Sequence, residues 1–541
     1  MLAAKHCCLA LLATFGDSAR TQDSTAATPV AFDLVLRGGV LVDGPARTTR
    51  PGNLAIAGGR IAAVGDFSVP PGTPVLELGG LFVAPGFIDV HTHVDTEIVR
   101  EPLCQNFLRM GVTTLITGNC GSSVKDIAAH FDRLEKGGIG VNYGSLVGLG
   151  TVRTAVLGTK NRAPDLTELQ RMADLVEAGM QAGAFGVSTG LIYVPGIYAA
   201  RQELEALAAV AGHHGGLYAS HMRYEGDEVL DAIEEALAIG AAAKTPVHIS
   251  HIKCTGKPNH GRSEQVLARL RQARADGARV TADQYAYDAS STSLDVLFPA
   301  DALEVGRDAF AARLRNDAEF RATMREALLR RMDQVGFGDF RYARIASAKG
   351  NADLNGMLLP EAAEKRLQRN DREAQADIAI ELFTAAAPTR VGMVYHTMAE
   401  ADVERFMRED WIAVASDAGI RSEASADRPH PRGSGNNPRV LAHYVRERGV
   451  TDLPTAVFKM TALPARIFGL EGRGELRPGF AADLVVFDPE AILDRATFTE
   501  PVRHPDGIVT VFVNGQIAVQ KDQLTGVRAG AVLRHSPRKG G

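Results

Sequence analysis

The chain has 541 residues, 45% hydrophobic and 23% charged, with a formal net charge of −5. That length allows about three to five ordinary domains, or one large barrel with an appendage, and that composition excludes global disorder. A balance of 59 Lys+Arg against 64 Asp+Glu excludes a general nucleic-acid footprint, and no apolar run reaches the roughly 18–20 residues of a membrane-spanning helix. The five cysteines, Cys7, Cys8, Cys104, Cys120 and Cys254, are too few for a disulfide framework and leave free thiols or metal ligands.

In chain order, residues 1–28 read as a leader. Lys5 and His6 precede the apolar stretch from Cys7 to Phe15, and a polar run follows to Ala27. This is the pattern of a short secretory signal peptide, which implies a periplasmic or secreted protein, with the cytoplasm as the alternative. Residues 29–84 alternate apolar and polar positions around glycine pairs, as in FDLVLRGGVLVDG and GNLAIAGGRIAAVGD, which reads as successive hairpins. Residues 469–541 carry the same signal in ADLVVFDP and in IVTVFVNGQIAVQ, with its Asn514-Gly515 turn. We expect both ends of the chain to build one small β-sandwich.

The middle, 85–468, alternates apolar strands with amphipathic helices. Candidate strands cover 87–93, 113–120, 143–150, 185–191, 217–222, 247–252, 279–287 and 412–419. Eight such strands separated by helices make an α/β fold, a parallel (β/α)8 TIM-like barrel. The long gap between the seventh and eighth is an insertion over 290–410 that contains two further strand-like runs, RIASA and VGMVYHTM. Insertions after barrel strands lie over the catalytic face, where this one would act as a lid.

Five candidate strands end in residues that a buried strand does not carry without a task. These are His91-x-His93 with Asp95, Asn119-Cys120, Ser220-His221, Ser250-His251 with Lys253, and Ser416-Asp417. Imidazoles, one thiolate and one carboxylate suit zinc, and a thiolate can bridge two ions. A lone strand-end histidine is more often structural, and a lone cysteine is usually a small buried hydrophobe. Six such residues at five strand ends favour a metal site. His248, out of phase, reads as structural, as do Cys104 and Cys254. His213, His214, His260 and His443 read as surface or structural. For His396, at the end of VGMVYH, a substrate-facing role and a structural one both stay open.

GFIDVHTHVD after a small β unit, together with a late ASDAG, resembles the amidohydrolase superfamily. GNCG, SHMRYEGDEVLDAIEEALAIG, ISHIK, DQYAYDASSTSL and RPHPRGSGNNPRVLAHYVRERG together resemble the D-aminoacylase (N-acyl-D-amino-acid deacylase) family over about residues 30–535. The resemblance implies that Cys120, His221 and His251 hold a tight zinc. It implies a second, weaker metal position at His91 and His93, with Cys120 bridging. Asp417 would be the catalytic acid/base. Arg432 and Lys253 would hold the substrate carboxylate, and Tyr193, Tyr285 and Ser291 would line the pocket. His396 and Tyr193 are the candidates for an oxyanion donor. The partner would be a small molecule, an N-acyl amino acid or a dipeptide. Dihydroorotase-like and hydantoinase-like members bridge their metals with a fourth-strand lysine, and here that strand reads FGVSTGL.

Two segments depart from the family text. GSGNNPRVL replaces an aromatic-containing run after Arg432, and AGIRSEASAD after Asp417 lacks a histidine. These leave the substrate open. An N-acyl-D-amino-acid deacylase leads. A dipeptidase releasing a C-terminal D-amino acid, an amidohydrolase for another carboxylate-bearing amide, and a non-catalytic relative are the alternatives.

Overall fold

The computed structural model describes residues 31–422 and 425–536; the expected leader, 1–28, lies outside them. Leu34–Asp43, Thr48–Ala57, Arg60–Gly65, Val75–Glu77 and Phe82–Pro85 come from the first end of the chain, and Leu484–Phe487, Ile508–Val513, Gln516–Gln520 and Gln523–Leu524 from the last. All nine strands belong to one hydrogen-bonded sheet. The two halves meet where Phe82–Pro85 runs antiparallel to Leu484–Phe487, with Pro85 opposite Leu484. The sheet curls until the far edge meets residues 479–482. Ile61 donates its N–H to Phe480 O at 2.8 Å, and Ala482 donates to Gly59 O at 2.9 Å. Leu36, Leu54, Ile56, Leu484, Val486 and Phe512 fill the space enclosed. At the expected Asn514-Gly515 turn both residues have positive φ, 46° and 81°, which a tight primed hairpin turn requires and Asn-Gly tolerates best.

The barrel strands are Phe87–Asp89, Val112–Thr117, Asn142–Ser145 with Val147–Gly148, Gly186–Gly190, Leu217–His221, Val247–Ile249, Val280–Gln284 and Ile412–Val414. Every pair between neighbours in this order is parallel. The ring closes between the first and eighth strands, where Asp417 N donates to His91 O and His93 N donates to Ala418 O, each at 2.9 Å. Inside, Ile88, Ile116, Leu146, Leu217, Ala219 and Ala415 pack with Phe468.

Most of these strands stop short of the runs expected from the sequence. The physical reason lies in the backbone of the functional residues. Cys120, His251 and Asp417 have φ of 50°, 36° and 52°, a left-handed conformation that extended pairing cannot continue through and that non-glycine residues rarely adopt. Cys120, His251 and Asp417 therefore sit at bends at their strand ends, whereas His221 closes its strand in register with Gly190.

The insertion has its own core, formed by Leu294, Phe310, Leu328, Phe340, Ile380, Phe383 and neighbours. Its strands Ala343–Ser347 and Gly392–Tyr395 are antiparallel, and Ser290–Ser293 pairs with the latter. That core ends at Tyr395. Helix Glu400–Met407, inside the expected span of 290–410, instead buries Val403, Phe406 and Met407 in the barrel core. Among the described residues no helix is long and apolar enough to cross a membrane.

Candidate metal centre and active site

The ends of the first, second, fifth, sixth and eighth strands bring six donor side chains together. His91, His93, Cys120 and Asp417 form one group, and Cys120, His221 and His251 form another. Within each group the possible ligand atoms all lie within 4.8 Å of one another. Cys120 Sγ belongs to both groups, 3.2 Å from His91 Nε2 and 3.5 Å from His251 Nε2. His221 turns Nδ1 inward, 2.8 Å from His251 Nε2. Burial pushes the Cys120 thiol up, but His91, His251 and His221 outweigh it and hold the thiol well below its usual range. A thiolate shared by two imidazoles on one side, and by two imidazoles and a carboxylate on the other, fits zinc in kind and number.

Asp417 stands between the metal group and a cation. Its Oδ1 is 3.0 Å from His93 Nε2 and 3.5 Å from His91 Nε2, and its Oδ2 forms an ion pair with Arg432 Nη2, 2.9 Å away. Burial favours the neutral acid, yet Arg432, His91 and His93 together hold this carboxyl well below the usual carboxylate range. Among these side chains His93 is the opening to solvent, with 35% of its side chain exposed.

Two carboxylates that the sequence reading did not single out organise the histidines. Asp283, buried in the seventh strand, accepts from His91 Nδ1 at 3.2 Å and from His248 Nε2 at 2.9 Å through Oδ2. Its Oδ1 accepts the His251 backbone N–H at 2.8 Å. Such carboxylate–histidine contacts fix the tautomer of a metal ligand. His248 is thus a partner of Asp283 and not a ligand, as its phase on the strand suggested. Glu225, from the loop after the fifth strand, accepts from Lys253 Nζ at 2.6 Å and lies 3.1 Å from His251 Nδ1 and 3.9 Å from His221 Nε2. Burial pushes Glu225 up, but Lys253, His221 and His251 keep it ionised, and its pKa is lowered. TADQ and SHMRYE carry both carboxylates in plain view; only their tertiary partners reveal the task.

Arg432 is buried, its guanidinium 4.6 Å from the centroid of the Tyr285 ring. Its Nη1 is buried without a hydrogen-bond partner among the described residues. Lys253, expected to hold the substrate carboxylate, is already engaged by Glu225 and by His251 Nδ1, 2.7 Å away. Its Nζ lies 5.7 Å from the same Tyr285 ring. Tyr193 stacks edge-on against His221, centroids 5.0 Å apart, and its hydroxyl accepts from Thr292 Oγ1 at 2.9 Å. Ser291 turns its hydroxyl away, donating to Met393 O at 2.8 Å, and offers its carbonyl to Arg432 Nη2 at 3.4 Å. His396 is not brought to the metal group. It stacks on Phe498 at 4.6 Å, and Phe498 in turn packs on His430 at 5.2 Å.

The segment after Arg432 is buried, whereas the one after Asp417 runs from buried Ala418–Ile420 to exposed Ser425–Asp427. Gly433 packs against the Arg421 side chain, and a Cβ on Gly435 would meet the Tyr287 hydroxyl at 2.5 Å. Asn436 Oδ1 accepts the Ala286 N–H at 2.9 Å.

The Amidohydrolase family model matches residues 75–519. D-aminoacylase of Alcaligenes xylosoxydans xylosoxydans is 37% identical over 525 residues, 93% of this chain and 97% of its own. A crystal structure of D-aminoacylase superposes with a TM-score of 0.79 at 34% identity, covering 93% of this chain and all of that one. N-acyl-D-glutamate deacylase from Bordetella bronchiseptica, solved with zinc and a phosphonate inhibitor, superposes with a TM-score of 0.78 at 34% identity, covering 93% and 99%. The chain therefore belongs to the amidohydrolase family, in the branch that contains D-aminoacylase.

Proposed function

We propose that this protein is a zinc-dependent hydrolase that cleaves N-acyl-D-amino acids to a carboxylate and a D-amino acid. The observation that carries the reading is one shared thiolate, Cys120, joining two donor groups beside an ionised Asp417 paired with Arg432. The relatives named for D-aminoacylase and N-acyl-D-glutamate deacylase activity support it. Cys120, His221 and His251 would hold a tight zinc, and His91, His93, Cys120 and Asp417 a second, weaker one. Bound zinc supplies a Lewis acid for the scissile carbonyl and lowers the pKa of water from about 15.7 toward 7.

The chain's own residues do the rest. Asp417, deprotonated and 3.0 Å from His93, takes a proton from the attacking water and returns it to the leaving amine. Arg432, with Nη1 free and its guanidinium carbon over the Tyr285 ring, binds the α-carboxylate, for which a planar fork is suited. Tyr193 accepts from Thr292, which leaves its own O–H to donate to the developing oxyanion. Lys253 keeps Glu225 ionised and so orients His251.

The test is amine release from paired N-acetyl-D- and N-acetyl-L- forms of Leu, Met, Phe, Glu and Asp, and from Gly-D-Phe, with zinc-loaded and chelator-treated protein. Zinc-dependent cleavage of the acetyl-D set alone is expected; preference for the dipeptide moves the protein to the peptidase reading. Asp417→Asn should lose about 10²–10⁴-fold in kcat while the Cys120–His221–His251 zinc stays bound. Near-normal turnover by the zinc-loaded variant sinks the acid/base role.

A further inference from the structure

His430 lies two residues before Arg432 and is fully enclosed by the rings of Tyr285, Tyr287 and Phe498, with centroids 6.0, 5.1 and 5.2 Å away. Both ring nitrogens are committed. Nδ1 accepts the backbone N–H of Arg432 at 3.0 Å. Since an acceptor nitrogen carries no proton, Nε2 must carry it, and Nε2 lies 2.9 Å from the carbonyl of Ala289. The ring is thus one fixed, neutral tautomer. A second proton would set N–H against N–H at Arg432. Burial and the neighbouring Arg432 charge also hold His430 well below the usual histidine range.

These two bonds connect the segments that position the Arg432 guanidinium. Arg432 opens the helix Arg432–Arg439, and its N–H is one of the first-turn donors with no partner inside the helix. Ala289 is two residues before Ser291, whose carbonyl receives Arg432 Nη2. His430 therefore ties the Arg432 backbone to the same short segment that receives its side chain. We propose that His430 is a positioning residue for the reaction: as the neutral Nε2–H tautomer it sets where Arg432 presents its free Nη1 to the substrate carboxylate. This rests on the reading above that Arg432 binds that carboxylate.

The two bonds can be removed separately. The Oδ1 of Asn falls near the place of imidazole Nδ1 and accepts, whereas the amide of Gln falls near Nε2 and donates. Steady-state kinetics of zinc-loaded His430→Ala, His430→Gln and His430→Asn on the best N-acetyl-D-amino acid would be compared, with circular dichroism and zinc content as checks of fold. We expect KM to rise about tenfold or more in His430→Ala and His430→Gln, with kcat within about threefold. His430→Asn keeps the acceptor for the Arg432 N–H and loses only the bond to Ala289, so its KM should rise less than that of His430→Gln. An unchanged KM in His430→Gln, or equal losses in the Asn and Gln variants, overturns the proposal; if His430→Ala does not fold, the Asn–Gln contrast still decides. Nitrogen-15 spectra of histidine-labelled protein read the tautomer directly and without substrate. A neutral Nε2–H ring is expected even if no acetyl-D compound is turned over, which would count against the proposed function alone. A protonated ring or an Nδ1–H tautomer at neutral pH counts against the positioning role.

Discussion

Asp283→Asn should loosen the metal at the His91 side without removing any ligand side chain. Asp283 Oδ2 receives both His91 Nδ1 and His248 Nε2, while Oδ1 receives the His251 N–H. An amide cannot satisfy all three. If its NH2 takes the Oδ2 place, it faces two imidazole N–H groups. His91 then relieves the clash only by moving its proton to Nε2, the atom that points at Cys120 and Asp417, where a protonated nitrogen cannot ligate. If the amide flips, its NH2 opposes the His251 backbone N–H instead. Losing such an outer carboxylate typically costs 10–100-fold in metal affinity, about 1.4–2.7 kcal/mol. The assay is zinc retention against chelators of graded strength, followed by atomic emission. The expected result is an early loss at the His91–His93–Cys120–Asp417 group and near-normal retention at Cys120–His221–His251. A folded Asp283→Asn protein that holds zinc as tightly as the parent at both positions refutes the reasoning.

Cys120→Ala removes the one atom common to both groups, so the tight zinc should be lost; an unchanged zinc-to-protein ratio argues against the shared thiolate. Arg432→Lys replaces a planar fork by a point charge and should raise KM about tenfold with kcat within a few-fold, measured on the best acetyl-D substrate; an unchanged KM places the carboxylate elsewhere. Asp283 and Glu225 have folded pKa values below their free values of 3.8 and 4.5. A depressed carboxylate contributes stability that is present above its free pKa and is lost as pH falls toward the folded value. The Tm of the metal-free protein should therefore drop as pH falls below about 4.5, less steeply in Glu225→Gln, and a Tm flat across that range contradicts the ion-pair account.

The barrel was legible because a buried parallel strand is a short apolar run with turn signals at its ends. The donors were legible because His, Cys and Asp interrupt such runs. Their conformation was not: nothing in GNCG or ISHIK announces that Cys120 and His251 leave the strand through positive φ. Asp283 and Glu225 escaped for a related reason. An Asp in a strand or a Glu in a loop is unremarked until the partner is known, and Asp283 meets His91 across about 190 positions of sequence. Lys253 was legible as a buried cation at a strand end, but its pairing with Glu225, 28 positions away, depended on how the loop after the fifth strand returns. Helix Glu400–Met407 was absorbed into the insertion because its amphipathic pattern says that it packs, without saying on which core.

The single sheet made from both chain ends has a consequence for how the protein is born. Pro85 and Leu484 become neighbours across about 400 residues. At roughly 5–20 residues per second of synthesis, the edge strand Phe82–Pro85 waits on the order of 20–80 s for its partner. An unpaired edge is a template for pairing with another chain, and contacts so distant in sequence form slowly. A ribosome that stalls after the barrel but before Leu484 releases a product in which the six candidate donor side chains are all present and the sticky edge is uncovered. The hazardous period for this molecule is thus translation itself, and it ends when the last strands are threaded into place.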